Sequence, residues 1–103
     1  MDDGALMMTK EDILAVLREE LPNLRKEHKV RDLALFGSYV KGEQSVESDI
    51  DMLVEFSEPV SLFDLIGLEL HLTDLLGVKV DLGTFDSIKP MLKDEIMNSA
   101  VYV

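Results

Sequence analysis

The chain has 103 residues, of which 47% are apolar, so it can bury a core of its own, and we expect one domain over residues 1–103. Ten Lys and Arg against 21 Asp and Glu give a formal net charge of −11, which argues against direct binding to nucleic acid or to an anionic membrane. The absence of cysteine excludes disulfides and thiolate chemistry and favours an intracellular location.

The amino terminus shows no periodic pattern, and we expect residues 1–8 to be disordered, with order beginning near Thr9. The chain starts with Met1-Asp2-Asp3-Gly4, which is acidic where a secretory signal needs positive charge. No uncharged run approaches the ~20 residues of a membrane span. These observations predict a soluble, cytoplasmic protein.

A first helix is predicted from about residue 10 to residue 21. Thr9 and Asp12 have the spacing of a capping box, in which both side chains bond to backbone amides at the helix start. Pro22 should break or kink the helix before a second helical stretch to about His28, because proline lacks the amide hydrogen and clashes with the preceding turn. The predicted buried positions follow at spacings of three and four: Ile13, Leu14, Leu17 and Leu21.

Two strands and a short connecting helix are predicted next. Residues 30–36 carry no charge from Leu33 onward, which is typical of a strand covered on both faces. This strand ends at Gly37-Ser38, where a short helical segment begins. Residues 49–56 alternate at their start and become apolar later, so the polar positions of this second strand cluster at its beginning.

The next helix has clear sequence signals at both ends. Ser61 and Asp64 form a second capping box, and a broad apolar face runs from residue 62 to residue 76. Gly77 follows, a residue that commonly ends helices.

A third strand is predicted over residues 78–82 and a last helix over residues 87–98, with Pro90 tolerated in its first turn. Residues 100–103 can add a short edge strand. This order of elements predicts an α/β (α+β) fold, a small mixed sheet of three to four strands with helices packed on it.

The second strand carries two acidic residues that predict a metal site. Asp49 and Asp51 flank one residue, so period-two alternation places both carboxylates on one face. Two like charges side by side are unfavourable unless a cation bridges them, and hard oxygen ligands suit Mg²⁺ or Mn²⁺. If the third strand pairs beside the second, Asp81 joins them. Three carboxylates can hold two ions ~3.5 to 4 Å apart, as in-line displacement at phosphorus requires.

The turn after the first strand is a candidate phosphate-binding site. Gly37 lets an anion approach the backbone, and the Ser38 hydroxyl with the amides that follow supplies hydrogen-bond donors. Lys41 would add positive charge at the same place.

Each of these residues also has a simpler explanation. Asp49 and Asp51 can be a solvated strand start, Asp81 an acid at a strand end, and Gly37 with Ser38 a plain turn. Lys41 is most simply a surface ion pair with Glu43 or Glu47, and Tyr39 a packing residue. We expect His28 and His71 to be solvated, and three methionines to fill the core: Met52, Met91 and Met97.

Taken together, the motifs resemble those of a known superfamily. Gly37-Ser38, ten intervening residues, Asp49-Ile50-Asp51 and a later strand Asp81 are similar to the pattern of nucleotidyltransferases related to polymerase beta. Residues 33–43 and 48–51, which read LALFGSYVKGE and SDID, resemble the minimal nucleotidyltransferases (MNT), often encoded beside a HEPN-domain toxin. The resemblance extends from about Thr9 to Val103.

This resemblance implies roles for individual residues. Asp49 and Asp51 would bind two Mg²⁺ ions, with Mn²⁺ as an alternative, and Asp81 would complete one metal site and assist deprotonation of the attacking hydroxyl. Gly37 and Ser38 would hold the nucleoside triphosphate. Lys41 would assist them, although many relatives have arginine there, and lysine keeps the charge but loses the bidentate fork.

The resemblance also implies a reaction, the transfer of AMP from ATP to a hydroxyl, with a tyrosine of a partner HEPN toxin as acceptor. The protein would then be an antitoxin, in a homo- or hetero-oligomer, and its acidity would steer it to a basic partner. One alternative is a catalytically silent antitoxin that neutralises by contact. Another is transfer to a small molecule such as an aminoglycoside, although 103 residues leave little room for the extra helical domain of those enzymes.

Overall fold

The computed structural model describes residues 8–43 and 48–103. The predicted disorder of residues 1–7 therefore lies outside the described residues, while Met8 packs partly buried against the core. The elements in chain order are α1 Lys10–His28, β1 Val30–Phe36, α2 Ser38–Lys41, β2 Ile50–Phe56, α3 Leu62–Leu76, β3 Val80–Thr84, a 3₁₀ turn Phe85–Ser87, α4 Pro90–Ser99 and β4 Val101–Tyr102.

The four strands form one mixed sheet in the order β3-β2-β1-β4. Strand β1 pairs antiparallel with both β2 and β4, whereas β2 and β3 are parallel because α3 crosses between them. The predicted α/β fold with a small mixed sheet is thus confirmed. The parallel pair matters for the site, since it brings the polar starts of β2 and β3 to the same edge of the sheet.

One face of the sheet packs against α1 and α3 to form the core. Ala34 and Leu53 are buried but lie outside this core cluster, which places them on the opposite face of the sheet. No helix within the described ranges is both long and apolar enough to cross a membrane. Fully buried members of the core cluster come from both helices and from the strands: Ile13, Leu17, Leu24, Leu35, Ile50, Met52, Val54, Leu68 and Leu72.

Local signals predicted the helix starts well. Both capping boxes are formed: the Asp12 amide donates to Thr9 Oγ1 at 3.2 Å, and the Asp64 amide donates to Ser61 Oγ at 3.3 Å. Helix α3 ends at Gly77 in the left-handed conformation, as expected.

Pro22 does not end the first helix, contrary to the prediction. Helix α1 continues through it to His28 and buries Leu24 on the same core as Leu17. The free energy gained by burying the turn after Pro22 outweighs the cost of the missing backbone hydrogen bond. Because Pro22 is exposed, the carbonyl left without its amide donor can be hydrated.

Two boundaries near the carboxyl end and one methionine also differ from the prediction. Strand β3 begins at Val80 rather than residue 78, and α4 begins at Pro90 rather than residue 87 because the 3₁₀ turn precedes it. Proline fits the first helical position, where its missing amide hydrogen has no intrahelical acceptor. Met91 is 84% exposed, so it is not a core residue, whereas Met52 is fully buried.

The expectation that His28 and His71 are solvated is wrong. Their rings stack with centroids 4.8 Å apart and planes at 28°, joining the end of α1 to the middle of α3. The Nε2 atom of His71 is buried and has no hydrogen-bond partner in the part of the chain that the structure describes. Burial, and then the neighbouring His71, lower the pKa of His28, against a smaller opposite effect of Glu27.

This histidine pair predicts a loss of stability in mild acid. Because the folded state lowers the pKa of His28, its contribution to stability is complete above the ordinary value of 6.5 and is lost as the pH falls below it. We expect the urea midpoint to fall between pH 7.5 and 5.5, and to fall less in His71→Leu, which lacks the second ring. Equal losses in both proteins would show that His71 makes no contribution to the effect.

Candidate active site

The structure brings the predicted carboxylates together at one edge of the sheet. In the register of the parallel pair, Asp51 of β2 lies opposite Asp81 of β3. Asp49 comes immediately before β2, where the Ile50 amide donates to the carbonyl oxygen of Lys79 at 2.9 Å and extends the pairing. Asp51 is partly buried, whereas Asp49 and Asp81 are exposed. The inner carboxylate thus has an acidic neighbour on each side.

The electrostatics of the cluster follow from this arrangement. Burial raises the pKa of Asp51, and the charges of Asp81 and then Asp49 raise it further. Burial also raises the pKa of Tyr39, and Asp49 adds to that shift. Tyr39 is 3% exposed and belongs to the core, which agrees with its predicted packing role. The ionised form of Asp51 is therefore disfavoured until a positive charge compensates it.

The donor set fits a divalent cation by its chemistry. Three carboxylates at one edge are hard oxygen ligands of the kind that Mg²⁺ and Mn²⁺ prefer, and the raised pKa of Asp51 is the electrostatic cost that a cation would relieve. Across residues 8–43 and 48–103, no three His, Asp or Glu side chains converge in a geometry that could hold a metal ion. The carboxylates are thus neighbours that do not form a closed coordination site.

Gly37 contacts the inner carboxylate directly. A Cβ atom at this position would collide with Oδ2 of Asp51 and lie 3.1 Å from its Cγ. The backbone of Gly37 has φ +81° and ψ −150°, a region that is essentially restricted to glycine. Both backbone conformation and space therefore require glycine, and they hold the start of α2 against the acidic cluster.

A substitution at this turn tests that requirement. Gly37→Ala should destabilise the protein by about 1–3 kcal/mol through backbone strain and should also displace Asp51. We expect a lower melting temperature together with a loss of nucleotide-dependent stabilisation. Gly42→Ala is the matched control, because Gly42 also has a positive φ, of +74°, but no atom lies within 4 Å of the added Cβ. If both variants retained nucleotide-dependent stabilisation, the contact with Asp51 would be irrelevant to the site.

Of the predicted phosphate-binding residues, Ser38 and Lys41 lie on α2, and Gly37 immediately precedes it. The amides of Val40 and Lys41 donate to the carbonyl of Gly37 at 3.1 and 3.2 Å, so an anion would have to use the earlier amides of Ser38 and Tyr39. Lys41 is exposed and lines a surface cavity with the first residues of α1. It makes no ion pair with Glu43, and Glu47 lies outside the described residues.

Two residues of α3 that sequence reasoning missed hold Asp81 in place. Strand β3 is an edge strand, and its Val80 and Leu82 amides need acceptors other than β2. Thr73 Oγ1 accepts from Val80 at 3.0 Å, and Glu69 Oε2 accepts from Leu82 at 2.9 Å. These bonds fix the backbone on either side of Asp81. The signal in the sequence was the spacing of four between Glu69 and Thr73, but α3 also carries Asp64, His71 and Asp74, so these two residues did not stand out.

Comparison with known proteins shows that the fold is that of a nucleotide-transferring enzyme. The family model described as "Nucleotidyltransferase domain" matches residues 14–103. The chain therefore belongs to the nucleotidyltransferase domain family. Protein adenylyltransferase MntA of Thermococcus cleftensis is 41% identical over 97 residues, which cover 94% of this chain and 98% of that protein. A relative from Methanocaldococcus jannaschii, also assigned as a protein adenylyltransferase, is 45% identical over 98 residues, 94% of this chain and 100% of that protein.

Solved structures confirm the resemblance to the minimal nucleotidyltransferases. One described as a minimal nucleotidyltransferase has a TM-score of 0.76 at 35% identity and covers 91% of this chain and 95% of that one. A toxin-antitoxin crystal structure with AMP-PNP has a TM-score of 0.65 at 26% identity, over 92% of this chain and 72% of that one.

Proposed function

We propose that this protein transfers AMP from ATP to a tyrosine hydroxyl of a partner HEPN toxin and thereby acts as an antitoxin. The observation that carries the proposal is the contact of the Gly37 turn with Asp51, which itself lies in register with Asp81. A candidate triphosphate-binding site and a candidate cation site thus lie at the same edge of the sheet. The relatives named protein adenylyltransferase and the toxin-antitoxin structure with AMP-PNP support the choice of an adenine nucleotide and of a toxin as the partner.

The residues would divide the chemistry in the following way. Asp49 and Asp51 would hold Mg²⁺ ions, completed by Asp81, and the bound cations would neutralise charge on the triphosphate. The Ser38 hydroxyl and the first amides of α2 would position the phosphates. The acceptor oxygen attacks the α-phosphorus, the bond from that phosphorus to the bridging oxygen of the β-phosphate breaks, and pyrophosphate leaves. The hydroxyl proton passes to the Asp81 carboxylate.

The exposed outer face of α3 favours the binding of a protein partner. This helix contains no Lys or Arg, and its outward side carries apolar residues that are at least 43% exposed. Exposed apolar patches of this kind mark protein–protein contacts, and the net charge of −11 favours a basic partner. The exposed residues are Leu62, Phe63, Ile66 and Leu70.

Mass spectrometry of the partner tests the proposal. The HEPN toxin is incubated with this protein, ATP and Mg²⁺, and we expect the toxin to gain the mass of one or more adenylyl groups on a tyrosine. Omission of Mg²⁺ with added chelator should prevent the gain. An unmodified toxin that this protein still neutralises would replace the proposal with the silent antitoxin, which acts by contact alone.

Ser38→Ala tests the contribution of the Ser38 hydroxyl to nucleotide binding. This change removes one hydroxyl donor among several backbone donors, so nucleotide affinity should fall by ~1–2 kcal/mol, a factor of about 5 to 30. Titration calorimetry with a non-hydrolysable ATP analogue and Mg²⁺ measures the change. Unchanged affinity would identify Ser38 as a plain turn residue.

A further inference from the structure

A cavity that none of the proposed roles uses adjoins Asp81. It lies between the sheet and α4 and has a volume of about 290 Å³. The walls are largely apolar, and the carboxylate of Asp81 lies at one side. Besides Asp81, the polar lining residues are Ser87 and Lys89. The apolar lining residues used below, together with Gly83, are Phe36, Leu53, Leu92 and Ile96.

The strand register explains why this cavity opens beside the carboxylates. Leu53 follows Asp51 by two residues, and Gly83 follows Asp81 by two, so each pair lies on one face of the sheet. Leu53 and Gly83 are themselves partners in the register of β2 and β3. The floor of the cavity is therefore the next row of side chains behind the acidic cluster.

Gly83 is the residue that leaves this floor open. Its φ lies outside the left-handed region, in contrast to Gly37 and Gly42, so its backbone does not require glycine. An added Cβ would meet Ser87 Oγ at 3.4 Å and Leu53 Cδ2 at 3.7 Å, ordinary contact distances. Glycine weakens a strand interior and often marks a place where a ligand approaches closely. Here its missing side chain keeps space within reach of Asp81.

We propose that this cavity binds the aromatic ring of the acceptor tyrosine and presents its hydroxyl to Asp81. The inference rests on the proposed function and adds to it the subsite that selects a phenol. Displacement at phosphorus is in line, so the attacking oxygen must lie opposite the leaving pyrophosphate. If the phosphates bind at Gly37 beside β1, the acceptor enters from the side of β3, which contributes Asp81 and Gly83 to the cavity. Walls that are largely apolar, with the carboxylate of Asp81 among the few polar groups, suit a ring with a single hydroxyl.

The competing occupant is the adenine base, which carries several hydrogen-bonding atoms around its ring. Besides Asp81, only Ser87 and Lys89 among the lining residues have polar side chains, so the largely apolar walls would leave several of those atoms without partners, at a cost for each. The phenol has a single polar atom, and Asp81 can accept its proton. The chemistry of the walls therefore favours the acceptor over the base.

Two variants fill the cavity from opposite sides. Leu92→Trp adds bulk from α4, and Gly83→Val adds it from β3, where a β-branched residue suits a strand. Met91→Trp is the matched control, since Met91 neighbours Leu92 on the same helix but is 84% exposed. For each protein we would measure the melting-temperature shift caused by ATP with Mg²⁺, the rate of transfer to the toxin, and chemical-shift changes caused by N-acetyltyrosinamide, with N-acetylphenylalaninamide as the comparison.

We expect both filled variants to keep the ATP-dependent shift and to lose transfer by more than about tenfold, because even one extra methylene in an apolar pocket costs a factor of about 10 to 200. The tyrosinamide should perturb cavity residues in the parent and in Met91→Trp but not in the filled variants. A lost ATP-dependent shift would assign the cavity to the base and overturn the proposal, as would transfer within twofold of the parent. If the parent itself transferred nothing, the proposed function would fail, whereas tyrosinamide binding would still decide the occupant of the cavity.

Discussion

Asp51→Asn should lower the rate of adenylyl transfer by about a thousandfold or more. The change removes the inner carboxylate of the cluster, which contacts the Gly37 turn and lies beside Asp81 on the neighbouring strand. Loss of charge neutralisation at the phosphates costs several kcal/mol in the transition state, and ~4 kcal/mol corresponds to a factor near a thousand. Because asparagine is nearly isosteric and relieves repulsion, the fold should be retained. Initial rates on the toxin, with circular dichroism as the check on folding, measure both effects.

Asp74→Asn provides the control for this experiment. Asp74 is exposed on α3, and its replacement makes the same change in net charge away from the cluster. Its rate should equal that of the parent. Activity of Asp51→Asn within tenfold of the parent would contradict the assignment of the cation site. Neutralisation of the toxin by an inactive Asp51→Asn would show that binding alone suffices.

The sequence predicted the acidic edge of the sheet because local rules determine it. Period-two alternation places Asp49 and Asp51 together in any strand, whatever surrounds it. The position of Asp81 required one further assumption, that the third strand pairs beside the second. The structure confirms this pairing, with a start two residues later than predicted. The helix caps at Thr9 and Ser61 were predictable for the same reason, since each depends on residues within one turn.

Features that depend on contacts between distant elements were not predictable from local rules. Pro22 signals a helix end, but burial of Leu24 in the core carries α1 beyond it. The stacking of His28 on His71 exists only because α1 and α3 pack side by side. In each case, the packing of two elements that are far apart in the chain outweighs the local preference.

The cavity beside Asp81 has the same tertiary origin. Its walls come from three strands and from α4, so no short segment of the chain carries its pattern. Gly83 gave no local signal either, because the predicted third strand ended at residue 82, whereas β3 continues to Thr84. The hydrogen bonds from β3 to Glu69 and Thr73 likewise join elements that the sequence treats separately. The charged residues of a motif can thus be predicted from the sequence. The residues that position and surround them can be identified only once the fold is known.

Replacing Asp49 and Asp51 together by Asn should stabilise the cation-free protein and abolish its response to ATP with Mg²⁺. Burial and the two acidic neighbours raise the pKa of Asp51 in the folded state. A carboxyl whose pKa is raised by folding contributes its full stability below the unfolded pKa, and this contribution is lost as the pH rises through the folded pKa. At pH 7, above the ordinary value of 3.8, the raised pKa of Asp51 is therefore a destabilising contribution. The double variant removes that repulsion, so its melting temperature should exceed that of the parent.

The response to ligand should change in the opposite direction. ATP with Mg²⁺ at 100 times its dissociation constant adds ~2.7 kcal/mol to the parent, a rise of roughly 10 °C in a domain of this size. ATP alone should do far less, because its phosphates meet carboxylates and a chain of net charge −11. A second variant with Asp74→Asn and Asp94→Asn, both exposed, matches the change in net charge and should keep the full response. Thermal scans of the three proteins with and without each ligand decide the matter, and an equal shift in all three would place the cation elsewhere.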